Sequence, residues 1–117
     1  MVKKSLCALL VLSVACAGSV FAQEFVDVSV KAGVADDGLG KGAAFADVNG
    51  DGLVDLYVSN KGGANKLFLN QGNGTFKDAT ATAGKGVDFP GLTMGSVFGD
   101  YDNDGDQDLL SGQWWPV

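Results

Sequence analysis

The sequence contains no histidine and no arginine, and cysteine occurs only twice, as Cys7 and Cys16. Both cysteines lie in an N-terminal segment with the pattern of a removable leader, so the mature chain would carry neither a thiol nor an imidazole. Zinc-type sites, Ser-His catalysis and Cys-His catalysis depend on those groups and are excluded for the mature chain. An exported chain without cysteine also gains no stabilisation from disulfides.

Residues 1–22 predict a secretory signal peptide. A cationic start ends at Lys4, an apolar run extends from Leu6 to Val20, and compact residues precede a cleavage site after Ala22. We therefore expect a secreted, periplasmic or cell-surface protein. A membrane-spanning helix is one alternative, but the apolar core is short and is interrupted by Ser13, Gly18 and Ser19. A lipid anchor on Cys16, which follows small residues, is another.

Negative charge dominates the remainder of the chain. In the whole chain, eight lysines oppose 14 acidic residues, and loss of Lys3 and Lys4 with the leader would change the net charge from −6 to −8. An acidic chain without arginine is poorly suited to binding nucleic acid. Five of the acidic residues lie between Asp100 and Asp108, and such clustering favours a bound cation.

The sequence repeats itself. Phe25-Val26-Asp27 recurs 51 residues later as Phe76-Lys77-Asp78. From Gly42 onward the offset is 53, and it relates seven residues to identical ones in the second half: Gly42, Phe45, Asp47, Asp51, Gly52, Asp55 and Leu56. We expect a repeat region over residues 23–117, with repeat one at about 25–75 and an incomplete repeat two at about 76–117.

Short strands separated by glycine-rich turns are predicted throughout this region. The candidates are Ala43–Ala46, Val54–Ser59, Lys66–Asn70, Thr75–Thr80 and a fourth-strand-like piece at Phe25–Val30. No stretch has a sustained helical period. The pattern predicts an all-β fold made of β-propeller blades with four antiparallel strands each. About one and a half blades are present, so we expect a truncated propeller.

Two loops, Asp47–Asp55 and Asp100–Asp108, carry oxygen-bearing side chains at positions 1, 3, 5 and 9 and glycine at position 6. Calcium takes about six to eight oxygen ligands, which alternate residues of a wrapping loop can supply. The predicted donors are the side chains of Asp47, Asn49, Asp51, Asp55, Asp100, Asp102, Asp104 and Asp108 and the carbonyls of Leu53 and Asp106. A metal-free polar hairpin is the alternative, and it is weaker for the second loop because its carboxylates would repel one another.

The flanking residues distinguish between calcium-loop families. An EF-hand requires glutamate at position 12 and flanking helices, whereas here position 12 is Val58 or Ser111 and the flanks are strands. The arrangement Phe-x-Asp-x-Asn/Asp-x-Asp-Gly-x-x-Asp-Leu, followed by Asn65–Asn70 and Gly72–Phe76, resembles the FG-GAP/VCBS repeats of integrin-α-type propellers. It is most similar to bacterial and cartilage-acidic-protein relatives that carry an ASPIC/UnbV domain. The Phe-Gly element appears as Phe98-Gly99 and, in the first repeat, as Phe45-Ala46.

This resemblance implies an exported calcium-binding propeller fragment that is not itself an enzyme. Its expected partners are an extracellular protein or glycan and the remaining blades of a longer chain, in an adhesion or interaction role. Calcium would be structural and would pin a hairpin. One alternative is the propeller part of a secreted polysaccharide-degrading enzyme. A dockerin-like docking module is another, although dockerins place aspartate where Val58 and Ser111 stand.

Overall fold

The computed structural model describes residues 24–114. They form one helical turn and six strands: α1 (Ser29–Ala32), β1 (Gly40–Ala46), β2 (Asp55–Ala64), β3 (Lys66–Asn70), β4 (Phe76–Asp78), β5 (Pro90–Gly99) and β6 (Asp108–Gln113). Every strand pairing is antiparallel. The predicted all-β fold is therefore confirmed. The predicted leader at residues 1–22 lies outside the described residues.

The strands form one four-stranded blade and half of a second. Strands β1 to β4 pair in chain order as a meander. Strands β5 and β6 form a hairpin of their own. The two units are joined where the end of β2, at Lys61–Ala64, pairs with the start of β5, at Pro90–Leu92. This open arrangement is that of part of a propeller.

Two predicted strands differ from the observed ones in length. The strand expected at Val54–Ser59 runs from Asp55 to Ala64, because its second half finds a further partner in β5. The strand expected at Thr75–Thr80 is confined to Phe76–Asp78. It ends there because the Asp78 carboxylate accepts the Thr80 N–H at 2.9 Å, which turns the chain.

The strand predicted at Phe25–Val30 is wrong. The segment is irregular up to Val28 and then forms the helical turn α1. The Asp27 carboxylate accepts the Ser29 N–H at 2.9 Å, and Gly33 closes the turn with a φ of 76°. These local bonds compete with strand pairing. Within residues 24–114, no helix is long and apolar enough to cross a membrane.

The sequence repeat is also a repeat of hydrogen bonds. The Asp27–Ser29 bond corresponds to the Asp78–Thr80 bond, 51 residues later and with the same length of 2.9 Å. With an offset of 53, the pairing of Phe45 with Leu56 corresponds to that of Phe98 with Leu109. The register irregularities in β1 and β5 also fall at equivalent places. The two repeats thus share one local structure.

The core lies between the blade and the half-blade. Tyr57 of β2 is 1% exposed, and its ring meets that of Phe98 of β5 edge-on, with centroids 6.2 Å apart. The Tyr57 hydroxyl donates to the Val87 carbonyl oxygen at 2.8 Å. Leu67 and Phe68 of β3 are also buried, as expected of the apolar residues of an inner blade strand.

A buried polar network joins the two units at the centre of the sheet. The Asn65 side chain is fully buried; its Oδ1 accepts the Asn60 N–H at 2.8 Å and its Nδ2 donates to Thr93 Oγ1 at 3.1 Å. Asn60 and Thr93 are themselves buried. Since buried polar groups are costly unless they are paired, Asn65 stabilises the junction of β2 and β5.

Replacement of Asn65 by alanine should therefore loosen this junction. The Asn60 N–H and the Thr93 hydroxyl would lose their partner, at a cost of about 1–3 kcal/mol per buried group left unpaired. We expect faster hydrogen exchange of the Asn60 amide, measured by NMR. The control is Gln71→Ala, which removes one side-chain hydrogen bond from an exposed position. Equal exchange rates in Asn65→Ala and the parent chain would contradict this role.

Candidate metal centre

The two acidic loops lie at the same end of the sheet. The first connects β1 to β2 and the second connects β5 to β6, so each closes an equivalent hairpin. Residues of both loops, among them Asn49 and Gly50 of the first and Gly105 and Gln107 of the second, line one shared cleft. The two loops are therefore neighbours in space although 44 residues separate them in sequence.

In the first loop, Asp47 organises the backbone. Its Oδ1 accepts the N–H of Gly50 at 2.8 Å and that of Asp51 at 3.2 Å, and its Oδ2 accepts the N–H of Gly52 at 2.8 Å. Asn49 Oδ1 accepts the Asp51 N–H at 3.0 Å. Asp51 Oδ1 in turn accepts the Leu53 N–H at 2.8 Å. The side chains at positions 1, 3 and 5 thus accept hydrogen bonds from backbone N–H groups further along the same loop.

The second loop repeats three of these five bonds with an offset of 53. Asp100 Oδ1 accepts the Asp104 N–H at 3.0 Å, and its Oδ2 accepts the Gly105 N–H at 3.0 Å. Asp104 Oδ1 accepts the Asp106 N–H at 2.9 Å. Asp108 Oδ2 accepts the Tyr101 N–H at 2.8 Å, as Asp55 Oδ2 does that of Val48 at 3.0 Å. Both sequences therefore close the loop in the same way.

The second loop brings three carboxylates together. Oxygen atoms of Asp100, Asp102 and Asp108 all lie within 4.8 Å of one another, and the three side chains are exposed. The carboxylate of Asp104, also predicted as a donor, is not in this cluster. Within residues 24–114, the acids of the first loop form no such cluster, and the donor at its position 3, Asn49, is neutral. An all-oxygen set of this kind has the chemistry of a hard-cation site and could hold one such ion.

The glycine at position 6 has the backbone conformation that the loop requires. Gly52 has a φ of 82° and Gly105 a φ of 95°, which is the left-handed region that other residues rarely enter. The residue at position 4 also has a left-handed backbone conformation in both loops. Its φ is 74° for Gly50 and 60° for Asn103. Asparagine tolerates this region better than most residues with a side chain.

Hydrogen bonds hold the pKa of the Asp47 carboxyl below its usual range. The Gly52 N–H has the largest effect, with further contributions from the N–H groups of Gly50, Asp51 and Asn49. These donors stabilise the ionised form, which is the form that a cation needs.

One residue of the site was missed by the sequence analysis. The Asn70 N–H, at the end of β3, donates to Asp55 Oδ1 at 2.8 Å, and its Nδ2 donates to the Val54 carbonyl at 2.9 Å. Asn70 thereby fixes the last aspartate of the first loop from another strand. Asn70 does belong to the Asn65–Asn70 motif of the repeat. Its role could not be predicted from that motif, because its partner Asp55 is 15 residues away in sequence.

A four-stranded blade and half of a second, each with an acidic loop between its first two strands, define a propeller-type repeat protein. In agreement, the model of the FG-GAP-like repeat family matches residues 47–111. The chain belongs to this family. The matched segment begins at the first aspartate of the first loop and extends through the second.

Vertebrate proteins contain the same kind of segment. Cartilage acidic protein 1 of Mus musculus is 38% identical over 89 residues, which cover 75% of this chain and 14% of the mouse protein. The Homo sapiens protein of that name is 37% identical over 89 residues, covering 75% of this chain and 13% of the human protein. The chain thus spans about a seventh of the length of these relatives.

Substitution of Gly105 by alanine should strain the second loop through its backbone alone. A Cβ at Gly105 would meet no atom within 4 Å, so only the φ of 95° opposes it, at a cost of about 1–2 kcal/mol. The amides of Asp104 and residue 105, which donate to Asp100, should then exchange faster in NMR measurements. Gly99→Ala is the matched control, since its Cβ also meets nothing and its φ is not left-handed. A loop that tolerates both changes equally would contradict this interpretation.

Proposed function

We propose that the chain is an exported calcium-binding repeat segment of an FG-GAP-type propeller, with a role in binding an extracellular protein or glycan. The observation that carries the calcium part is the convergence of Asp100, Asp102 and Asp108, whose oxygens lie within 4.8 Å of one another. Like charges held so close repel unless a cation lies among them. Calcium is the preferred ion because the donors are all oxygen atoms and Ca²⁺ accepts more varied coordination geometries than Mg²⁺ does.

The calcium ion would act as a structural tie. Asp100 follows directly on the end of β5, at Gly99, and Asp108 is the first residue of β6. An ion bound to both carboxylates would hold the ends of the hairpin together. The ion would therefore stabilise the hairpin, and the interaction role is supported by membership in the FG-GAP-like repeat family.

The second loop should bind calcium more tightly than the first. It offers side-chain carboxylates at positions 1, 3, 5 and 9, whereas Asn49 leaves the first loop with three, and ligand charge raises calcium affinity. Asp102→Asn should weaken the tighter phase of a calorimetric calcium titration by about tenfold or more. The weaker phase, assigned to the first loop, should be lost in Asp51→Ala. Magnesium should substitute poorly, because it prefers a smaller octahedral shell and retains its waters.

Asp106→Asn is the matched control for Asp102→Asn. It removes the same charge from the same loop but leaves the three clustered carboxylates and the Asp106 carbonyl in place. It should therefore weaken calcium binding by no more than about threefold, through long-range attraction alone. Equal losses in the two variants would mean that loop charge, not ligation, governs affinity. Absence of calcium binding in the parent chain would overturn the assignment.

Export is the second part of the proposal, and it rests on the leader pattern of residues 1–22. Expression of the full chain in a bacterium should yield an exported product that begins at Gln23, measured by mass spectrometry. A charge introduced into the apolar run, as in Leu10→Lys, should leave the chain unprocessed. Leu39→Lys, a charge placed beyond the leader, should not affect processing. An acylated Cys16 would show instead that the leader directs lipid attachment.

A further inference from the structure

Two asparagines of the chain are followed directly by glycine, Asn49 by Gly50 and Asn73 by Gly74. Asn49 lies in the first acidic loop and Asn73 in the turn between β3 and β4, and both side chains are exposed. An asparagine in this position can lose its amide group, because a glycine has no side chain to hinder attack of its nitrogen on the asparagine Cγ. The two dipeptides are identical, but the structure gives their atoms different hydrogen-bond partners.

The side-chain oxygen of Asn73 accepts two hydrogen bonds from one residue. The Thr75 N–H donates to Asn73 Oδ1 at 3.0 Å, and the Thr75 hydroxyl donates to the same oxygen at 2.6 Å. Thr75 is itself held in place, because its carbonyl oxygen accepts the Gln71 N–H at 2.9 Å across the turn. Two donors on a carbonyl oxygen stabilise the negative charge that develops there during attack, as in an oxyanion hole. The Cγ of Asn73 is therefore activated toward a nucleophile.

The glycine N–H, which must lose its proton before the nitrogen can attack, differs between the two sites. The Gly50 N–H donates to Asp47 Oδ1 at 2.8 Å. Within the part of the chain that the structure describes, the Gly74 N–H makes no corresponding bond. A carboxylate that accepts an N–H opposes loss of its proton, because the bond is charge-assisted and the resulting anion would face the negative carboxylate. Asp47 therefore protects the first site.

We propose that Asn73-Gly74 is a site of spontaneous deamidation in the folded protein and that the first acidic loop protects Asn49-Gly50 from the same reaction. A solvent base takes the proton of the Gly74 N–H, and this nitrogen forms a bond to Asn73 Cγ. The Cγ–Nδ2 bond then breaks, and Nδ2 leaves as ammonia. The resulting succinimide ring takes up a water molecule. It opens to aspartate or, at its other carbonyl, to isoaspartate.

The two products change the β3–β4 turn differently. Aspartate adds a negative charge, whereas isoaspartate also adds a methylene group to the main chain. Asn70, the last residue of β3, pairs with Phe76, the first residue of β4, so a longer main chain between them disturbs this pairing. Strand β4 lies at the edge of the sheet and pairs with β3. Formation of isoaspartate should therefore loosen the outermost strand of the blade.

Incubation of the chain in calcium-free buffer at mildly alkaline pH tests this assignment independently of the proposed calcium site. Peptide mapping by mass spectrometry, with electron-transfer fragmentation to distinguish aspartate from isoaspartate, follows both sites over time. In the folded chain, Asn73 should be converted at least about tenfold faster than Asn49, because the charge-assisted bond protects the Gly50 N–H. In guanidinium chloride, which removes these contacts, the two rates should become similar.

Three variants separate the contributions of the neighbouring groups. Thr75→Val keeps the branched shape and the N–H but removes the hydroxyl, and it should slow conversion of Asn73 by about fivefold, the factor expected for one hydrogen bond. Thr75→Ser retains the hydroxyl and should keep the parent rate. Asp47→Ala releases the Gly50 N–H and should bring the rate at Asn49 toward that at Asn73. Thr82→Val, which removes a hydroxyl outside this turn, is the control and should change neither rate.

Equal rates at Asn49 and Asn73 in the folded chain would overturn the proposal. A preference for Asn73 that persists undiminished in guanidinium chloride would also overturn it, because the local sequence and not the structure would then be the cause. So would a Thr75→Val variant that keeps the parent's circular dichroism spectrum and deamidates as fast as the parent chain.

Discussion

A buried carboxylate at the start of β2 holds three parts of the blade in place. Asp55 is completely shielded from solvent; its Oδ2 accepts the Val48 N–H at 3.0 Å and its Oδ1 accepts the Asn70 N–H at 2.8 Å. One side chain thus connects the β1–β2 loop, the first residue of β2 and the last residue of β3. A buried acid is tolerated because both oxygens are paired, and the strand register and the loop geometry depend on the same group.

The equivalent group in the second repeat shows what the neighbouring strand contributes. Asp108 makes the same bond to its own loop, but it is exposed, whereas Asp55 is also covered by β3. The hairpin alone therefore suffices to shape the acidic loop. The outer strands of a blade shield that loop and complete the sheet. This separation explains why the two loops share several backbone-to-carboxylate bonds although only one lies in a complete blade.

Loops and faces are coupled because they share strands. Strand β2 begins at Asp55 and presents Tyr57 two residues later, and β6 begins at Asp108 and presents Leu110 two residues later. Side chains two apart on a strand lie on the same side. The Asp55 contacts that fix the start of β2 therefore also orient Tyr57, which meets Phe98 of β5. In the first repeat, a change in the hydrogen bonds of Asp55 would therefore also alter the packing of Tyr57.

Much of the local structure followed from sequence pattern. The strand predicted at Lys66–Asn70 has the observed bounds, and the left-handed glycines stand where the loop spacing requires them. The error at Phe25–Val30 arose because its alternating apolar residues are typical of a strand. In the structure, the Asp27 side chain and Gly33 complete a helical turn instead. Such short-range competition between side chain and backbone is invisible to periodicity.

The sequence by itself determined the repeat, the all-β class and the oxygen-rich spacing of both loops, because these depend on the order of residue types along one strand or turn. Only the tertiary structure decided which carboxylates converge. Asp102 joins Asp100 and Asp108, whereas Asp104 caps the next turn of backbone. It also decided that Asn70 holds Asp55 and that Tyr57 meets Phe98. These pairings connect strands that are distant in sequence, and only folding brings their atoms within bonding distance.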